Sequence, residues 1–128
     1  MQQLLALGVV GLGGSVGAIA RYVLSGLAQT VVQEKFGRSY PVGTLLVNAI
    51  GCLLIGMLMA MVTERQLAEG TRLFLITGIL GSLTTFSTFG YETVELILEN
   101  DLRLAFWNVA ANICIGFPAV WIGWTVFK

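Results

Sequence analysis

The chain of 128 residues contains no histidine, and only 11% of its residues are charged. A soluble domain usually carries about 25% charged residues, so the composition indicates lipid as the main solvent. Without histidine, and without a nucleophile–base pair, the chain does not fit an intramembrane enzyme. The formal net charge is +0 and there is no basic run, which argues against a nucleic-acid partner.

Cysteine is also scarce, and no basic residue precedes Arg21. Cys52 and Cys114 lie within apolar runs and lack the spacing of a metal or redox motif. A secretory signal peptide begins with a basic region, followed by a short apolar core. We therefore expect two membrane-buried thiols and a first apolar stretch that is retained as a span.

Long apolar stretches are what the sequence has in abundance. A helix needs roughly 20 mostly apolar residues to cross a hydrocarbon core about 30 Å thick. Four stretches satisfy this requirement, at about residues 4–27, 42–62, 73–98 and 104–127. The sequence thus predicts an all-α membrane protein, with one four-helix transmembrane domain over residues 1–128.

The positive charges outside these spans are evenly divided between the two sides. Four spans put Arg65, Arg72 and Lys128 on one side and Lys35, Arg38 and Arg103 on the other. The positive-inside rule then has no bias to act on. Two interpretations stay open. One is chance in a small number of charges; the other is dual topology, in which the chain inserts both ways and pairs as an antiparallel homodimer.

The third apolar stretch contains the polar segment GILGSLTTFSTFG, from Gly78 to Gly90. Ser82, within this segment, lies midway between Arg72 and Glu92, so that GSLTT falls near the bilayer midplane. Glycine and β-branched threonine weaken a helix, and hydroxyl groups compete for its backbone hydrogen bonds. We expect a break in the third helix at this depth. Freed backbone must then be buried or face a cavity, where its carbonyl oxygens suit a small cation.

Three asparagines lie within the second and fourth spans. Asn48 follows Thr44 by four residues, and Asn112 follows Asn108 by four, so each pair shares one helical face. A buried amide is costly unless it has a partner, and it offers both a donor and an acceptor. Linking helices is its commoner use, whereas three asparagines on consistent faces also fit a polar track for an ion.

Two other features have a structural and a functional interpretation. The first span carries Gly11, Gly13, Gly14 and Gly17, and small residues at such spacing favour close helix packing. Arg21, near the end of that span, either extends to the lipid headgroups or lines a vestibule that attracts anions. Phe86 and Phe89, three residues apart, usually indicate packing. Their positive ring edges can also hold an anion weakly, as conduction requires.

These segments resemble the Fluc (CrcB) fluoride channels of bacteria over almost the whole chain. The resemblance rests on GGSVGAIARY in the first span, GTLLVNAIG in the second and GSLTTFSTFGYE in the third. It implies passive export of fluoride across the plasma (inner) membrane. By the same resemblance, the export takes place through two pores of an antiparallel dual-topology homodimer in the lipid bilayer.

The resemblance also implies site residues. Backbone carbonyls of Gly81 and Thr84 from both subunits would hold a structural Na⁺ that is not transported. Phe86 and Phe89 would flank the fluoride path, and Asn48 would line it.

Other positions match the family pattern less closely. Arg21 corresponds to a vestibule arginine, and Thr88 and Glu92 are further candidates on the polar stripe of the third helix. Asn108 and Asn112 stand where many members carry tyrosine and serine. Both asparagines can still form hydrogen bonds, so we expect conduction to persist.

Two alternatives come from other classes of protein. Small multidrug exporters have four helices and dual topology, but they depend on a buried carboxylate in the first helix, where this chain has only Arg21 as a charged residue. A non-conducting membrane scaffold would account for the small residues but not for a polar segment at the midplane.

Dual topology predicts a specific effect of added charge. Several lysines inserted into one connector should trap one orientation, because the charge bias then decides insertion. Fluoride efflux should disappear, and should return when the oppositely biased variant is co-expressed. Efflux from one trapped orientation alone would contradict this interpretation.

Overall fold

The computed structural model describes residues 1–37, 40–64 and 67–128, and all of its regular elements are helices. Four helical segments are long and apolar enough to cross a membrane: Gln2–Phe36, Val42–Thr63, Glu69–Leu98 and Leu102–Phe127. The expectation of an all-helical, multi-pass membrane protein is therefore confirmed. Arg38 and Arg65, which belong to the charge count above, lie outside the described residues.

Helix α1, Gln2–Phe36, continues well beyond residue 27, where the first span was expected to end. The segment after Leu27 contains no proline or glycine before Gly37, so nothing in it opposes a helix. Gly37 ends the helix in the left-handed region, with φ 63°, and its N–H donates to the Gln33 carbonyl at 2.9 Å. The polar residues before Gly37 therefore extend the helix rather than forming a loop.

The third span consists of two helical parts. The first, α3, covers residues 69–83 and contains a π-helical stretch, Leu73–Leu80. The second, α4, is Phe86–Leu98. Between them Thr84 (φ −81°, ψ 156°) and Thr85 (φ −150°, ψ 113°) have extended backbones. Two residues of non-helical backbone thus lie near the middle of a segment long enough to span the membrane.

A tight turn connects α4 to the last helix, α5, Leu102–Phe127. Asn100 adopts a positive φ of 60°, which asparagine tolerates better than most residues. Asp101 caps α5, since its Oδ1 accepts from the Leu104 N–H at 3.1 Å. The turn brings α4 and α5 together as antiparallel neighbours.

Glycines occupy the points where helices approach most closely. A Cβ at Gly78 of α3 would lie 2.8 Å from the Gly13 Cα of α1, and one at Gly17 would collide with the Ile79 carbonyl. Gly56 and Gly123 have the same role between α2, Val42–Thr63, and α5. The prediction that small residues of the first span serve packing is confirmed at Gly13 and Gly17.

Large apolar side chains remain exposed on the outer surfaces of the helices. Tyr22 is 82% exposed, Phe117 73% and Trp121 71%. The buried apolar core is small and centres on Val47, Leu80 and Leu83. This distribution fits a chain whose outer surface faces lipid.

Two glycines of α1 provide a matched pair for testing the close packing. Gly17→Ala should lower the free energy of unfolding by about 1–3 kcal/mol, because the new methyl group meets the Ile79 carbonyl. Gly26 has no neighbour within 4 Å, so Gly26→Ala should be neutral or stabilise the helix by up to about 1 kcal/mol. Thermal unfolding in detergent measures both. Equal effects would contradict the close contact.

Candidate functional site

The amide of Asn48 binds the extended backbone between α3 and α4. Its Oδ1 accepts from the Thr85 N–H at 2.9 Å, and its Nδ2 donates to the Thr85 carbonyl at 3.3 Å. A side chain of α2 thereby bonds both backbone groups of a residue whose own backbone is extended. This arrangement makes extended backbone tolerable at this depth.

Thr85 also caps the start of α4. Its Oγ1 accepts from the Thr88 N–H at 3.2 Å and donates to Thr88 Oγ1 at 2.9 Å. In a continuous helix, the N–H of residue 85 would donate to the Gly81 carbonyl, and the N–H of residue 88 would donate to the Thr84 carbonyl. Both N–H groups instead donate to side chains, so the carbonyls of Gly81 and Thr84 lose their helical donors.

A chain of amides runs from the extended backbone to α5. Asn48 Nδ2 donates to Asn112 Oδ1 at 3.1 Å, and Asn112 Nδ2 donates to the Asn108 carbonyl at 2.9 Å. Asn108, which is buried, donates to Thr93 Oγ1 at 2.9 Å. The Thr85 N–H can only donate, and the Asn108 carbonyl can only accept. These two backbone groups therefore decide which amide atom is oxygen and which is nitrogen in Asn48 and Asn112.

A cavity of about 590 Å³ lies beside this series of hydrogen-bonded asparagine side chains. Asn48, Thr84, Thr85 and Asn112 border it, but most of its lining surface is apolar and aromatic. None of the described residues that line it carries a charge. Gly51 makes room beside it for the Thr84 methyl group, with which a Cβ at residue 51 would collide. The cavity combines neutral hydrogen-bonding groups with an apolar wall.

Phe86 and Phe89 both line this cavity at the start of α4. Their ring centroids are 5.6 Å apart and the ring planes are inclined by 54°. Phe86 is 83% exposed in the single chain, so its ring extends away from the chain's own core. Ring edges near a cavity provide weakly positive surface without a formal charge.

The other predicted site residues lie outside the cavity lining. Thr88 and Asn108 are each linked to it through a hydrogen bond, to Thr85 and Asn112 respectively. Glu92 Oε1 accepts from Thr44 Oγ1 at 2.7 Å, whereas its Oε2 is buried with no hydrogen-bond partner among the described residues. Arg21 is half-buried on α1, and its backbone carbonyl accepts from Ser25 Oγ.

Two residues at this site were not predicted from the sequence. Thr85 was not distinguished from the other hydroxyl residues of its segment, although a threonine directly before a helical stretch is a recognised cap signal. Cys52 was expected to be simply buried, whereas the structure includes its free thiol in the cavity lining. No local pattern in the sequence indicates that second position.

The fold and the site together define a polytopic membrane protein with an uncharged, largely apolar cavity that a few polar residues border. The family described as CrcB-like protein, Camphor Resistance (CrcB), matches residues 8–124, and the chain belongs to this family. It is a family of ion channels, not of enzymes.

Curated relatives match nearly the full chain. A fluoride-specific ion channel FluC from Clostridium perfringens is 42% identical over 124 residues, which cover 96% of this chain and 94% of the relative. A protein of the same description from Solibacter usitatus is 39% identical over 116 residues, covering 90% and 92%. The Clostridium novyi protein, with the same description, is 39% identical over 129 residues, covering 100% and 98%.

Proposed function

We propose that the chain forms a fluoride channel that lowers cytoplasmic fluoride by passive export across a bacterial plasma membrane. The observation that carries this proposal is a cavity without a formal charge, whose largely apolar lining includes the Asn48 and Asn112 residues and both phenylalanines. The relatives described as fluoride-specific channels support the choice of ion.

A neutral lining suits conduction of a small anion. Moving an isolated ion into apolar surroundings costs tens of kcal/mol by Born estimates. Amide donors offset part of this cost, whereas a fixed positive charge would hold the anion too tightly. A conducting site must bind strongly enough for entry and weakly enough for release.

The hydrogen bonds at Asn48 indicate how the binding of an anion there stays weak. One of its amide hydrogens bonds Asn112 Oδ1, so an anion at this point exchanges with a protein acceptor that is already present. The net gain is then the difference between two hydrogen bonds. Asn112, and Asn108 behind it, keep this role although many family members carry other polar residues there.

The residues around Thr84 fit a structural Na⁺. The carbonyls of Gly81 and Thr84 lack their helical donors, and carbonyl oxygen is a ligand that hard cations prefer. No group of three histidine, cysteine or acidic side chains is present in the described part of the chain, so backbone oxygens are the natural ligands. When bound, Na⁺ supplies a positive field beside the path.

The same ligand count favours a homodimer, and the even division of positive charge between the two sides favours its antiparallel form. Hard cations bind about six or more oxygen atoms, and one chain offers few here. A second copy related by a two-fold axis doubles the set. It would also cover Gly81 and Phe86, which are exposed in the single chain. Each copy then contributes one cavity, which gives two pores.

A proton-coupled exporter fits these residues less well. Such an exporter needs a titratable group within its substrate cavity, and the described lining residues include no acid. Glu92 lies outside that lining and its Oε1 is bonded to Thr44.

Liposomes loaded with fluoride and containing the purified protein provide the direct test. We expect efflux, followed with a fluoride-selective electrode, that requires no proton gradient. Proton-dependent transport of cationic drugs would favour the exporter, and the absence of any ion flux would favour the scaffold.

The phenylalanine pair can be tested in the same assay. Phe86→Ile and Phe89→Ile should each lower fluoride efflux about tenfold or more, equivalent to about 1.4 kcal/mol, because an aliphatic group has no positive edge. The assembled dimer should persist. Phe106→Ile is the matched control, since Phe106 is exposed and lies outside the cavity lining. Normal efflux in both test variants would refute the ring-edge role.

A further inference from the structure

The Asn48 amide acts in two directions: Nδ2 bonds both ways, whereas Oδ1 bonds only the extended backbone. Toward the backbone, Oδ1 accepts from the Thr85 N–H and Nδ2 donates to the Thr85 carbonyl. Toward α5, the second hydrogen of Nδ2 is donated to Asn112 Oδ1. The contact with the cavity wall and the contact with the extended backbone can therefore be separated by substitution.

The bond from Thr85 N–H to Asn48 Oδ1 controls the Gly81 carbonyl. In a continuous helix this N–H would donate to the carbonyl four residues earlier, which is that of Gly81. In lipid an unpaired backbone N–H is costly, so the Thr85 N–H must have some acceptor. If Asn48 did not accept it, the Gly81 carbonyl would be the nearest acceptor along the chain.

Building on the proposed function, we propose that Asn48 is a positioning residue of the cation site. Its Oδ1 holds the Thr85 N–H, and this keeps the Gly81 carbonyl available to Na⁺. The amide acts through the backbone and does not touch the cation. One side chain therefore serves two ions, the cation through its oxygen and the anion through its N–H.

A Na⁺ titration of thermal unfolding tests this role without measuring transport. Purified dimer is unfolded at increasing Na⁺ with constant ionic strength, N-methyl-D-glucamine replacing the Na⁺. A ligand that binds only the folded state raises stability with its concentration. We expect Asn48→Leu to raise the Na⁺ concentration for half-maximal stabilisation by about tenfold or more, equivalent to about 1.4 kcal/mol.

Three further variants separate positioning from simple packing. Asn48→Asp keeps an acceptor oxygen for the Thr85 N–H, so it should retain the Na⁺ response of the unsubstituted protein. Asn112→Leu removes the Asn48 bond toward α5 and the Asn112 bonds to Asn108, but it leaves both Asn48 bonds to Thr85 in place, so it should retain that response as well. Asn48→Ala should show the same loss as Asn48→Leu, and it replaces that variant if leucine prevents assembly.

The results of the Na⁺ titration distinguish a failure of the positioning role from a failure of the cation site. A normal Na⁺ response in Asn48→Leu or Asn48→Ala would overturn the positioning role while leaving the channel proposal intact. Equal losses in the Asp and Leu variants would also overturn it, because the acceptor oxygen would then be irrelevant. If the unsubstituted protein shows no response specific to Na⁺, the cation site is wrong and the positioning role fails with it, whereas fluoride efflux tests the channel separately.

Discussion

Backbone polar groups within lipid need hydrogen-bond partners, and the site depends on how Thr84 and Thr85 meet this requirement. The Thr84 N–H still donates to the Leu80 carbonyl, but the extended conformation takes the Thr85 N–H out of the helical pattern near the middle of the third span. The Asn48 amide supplies a donor and an acceptor to Thr85 instead. The consequences extend in two directions: carbonyls at Gly81 and Thr84 lose their helical donors, and α4 begins where both phenylalanine rings reach the cavity.

Close helix packing allows the Asn48 amide to replace the helical backbone partner of Thr85. Asn48 can reach Thr85 only if α2 lies against the junction of α3 and α4, and Gly51 leaves room there for the Thr84 methyl group. On the other side, Gly17 of α1 contacts Ile79 shortly before the helix ends. Small residues thus bring the backbones together where van der Waals packing must replace a hydrophobic driving force. Polar side chains then connect helices over short distances.

Much of this arrangement could be predicted from local features. Apolar length predicted four spans, and the described helices include four segments of that kind. Residues four apart share a helical face, which correctly grouped Asn108 with Asn112 and Asn48 with Thr44. The length of α1 was underestimated, because polarity was taken as a sign of a connector although helical hydrogen bonding continues outside an apolar stretch. Thr85 was not singled out because the sequence alone does not distinguish the roles of the five hydroxyl residues between Gly78 and Gly90.

The sequence by itself determined the solvent of this chain, the number of its spans and the depth of its polar segment, because these depend on composition and on the length of apolar runs. Tertiary structure alone decided which donor meets which acceptor. Asn48 bonds residues 37 and 64 positions away, and contacts at such separation depend on how helices pack. The same amide could have faced lipid, another helix or the cavity with an identical local sequence. Its pairing with Thr85 exists because α2 packs against the extended backbone and brings the amide within hydrogen-bond distance of both Thr85 backbone groups.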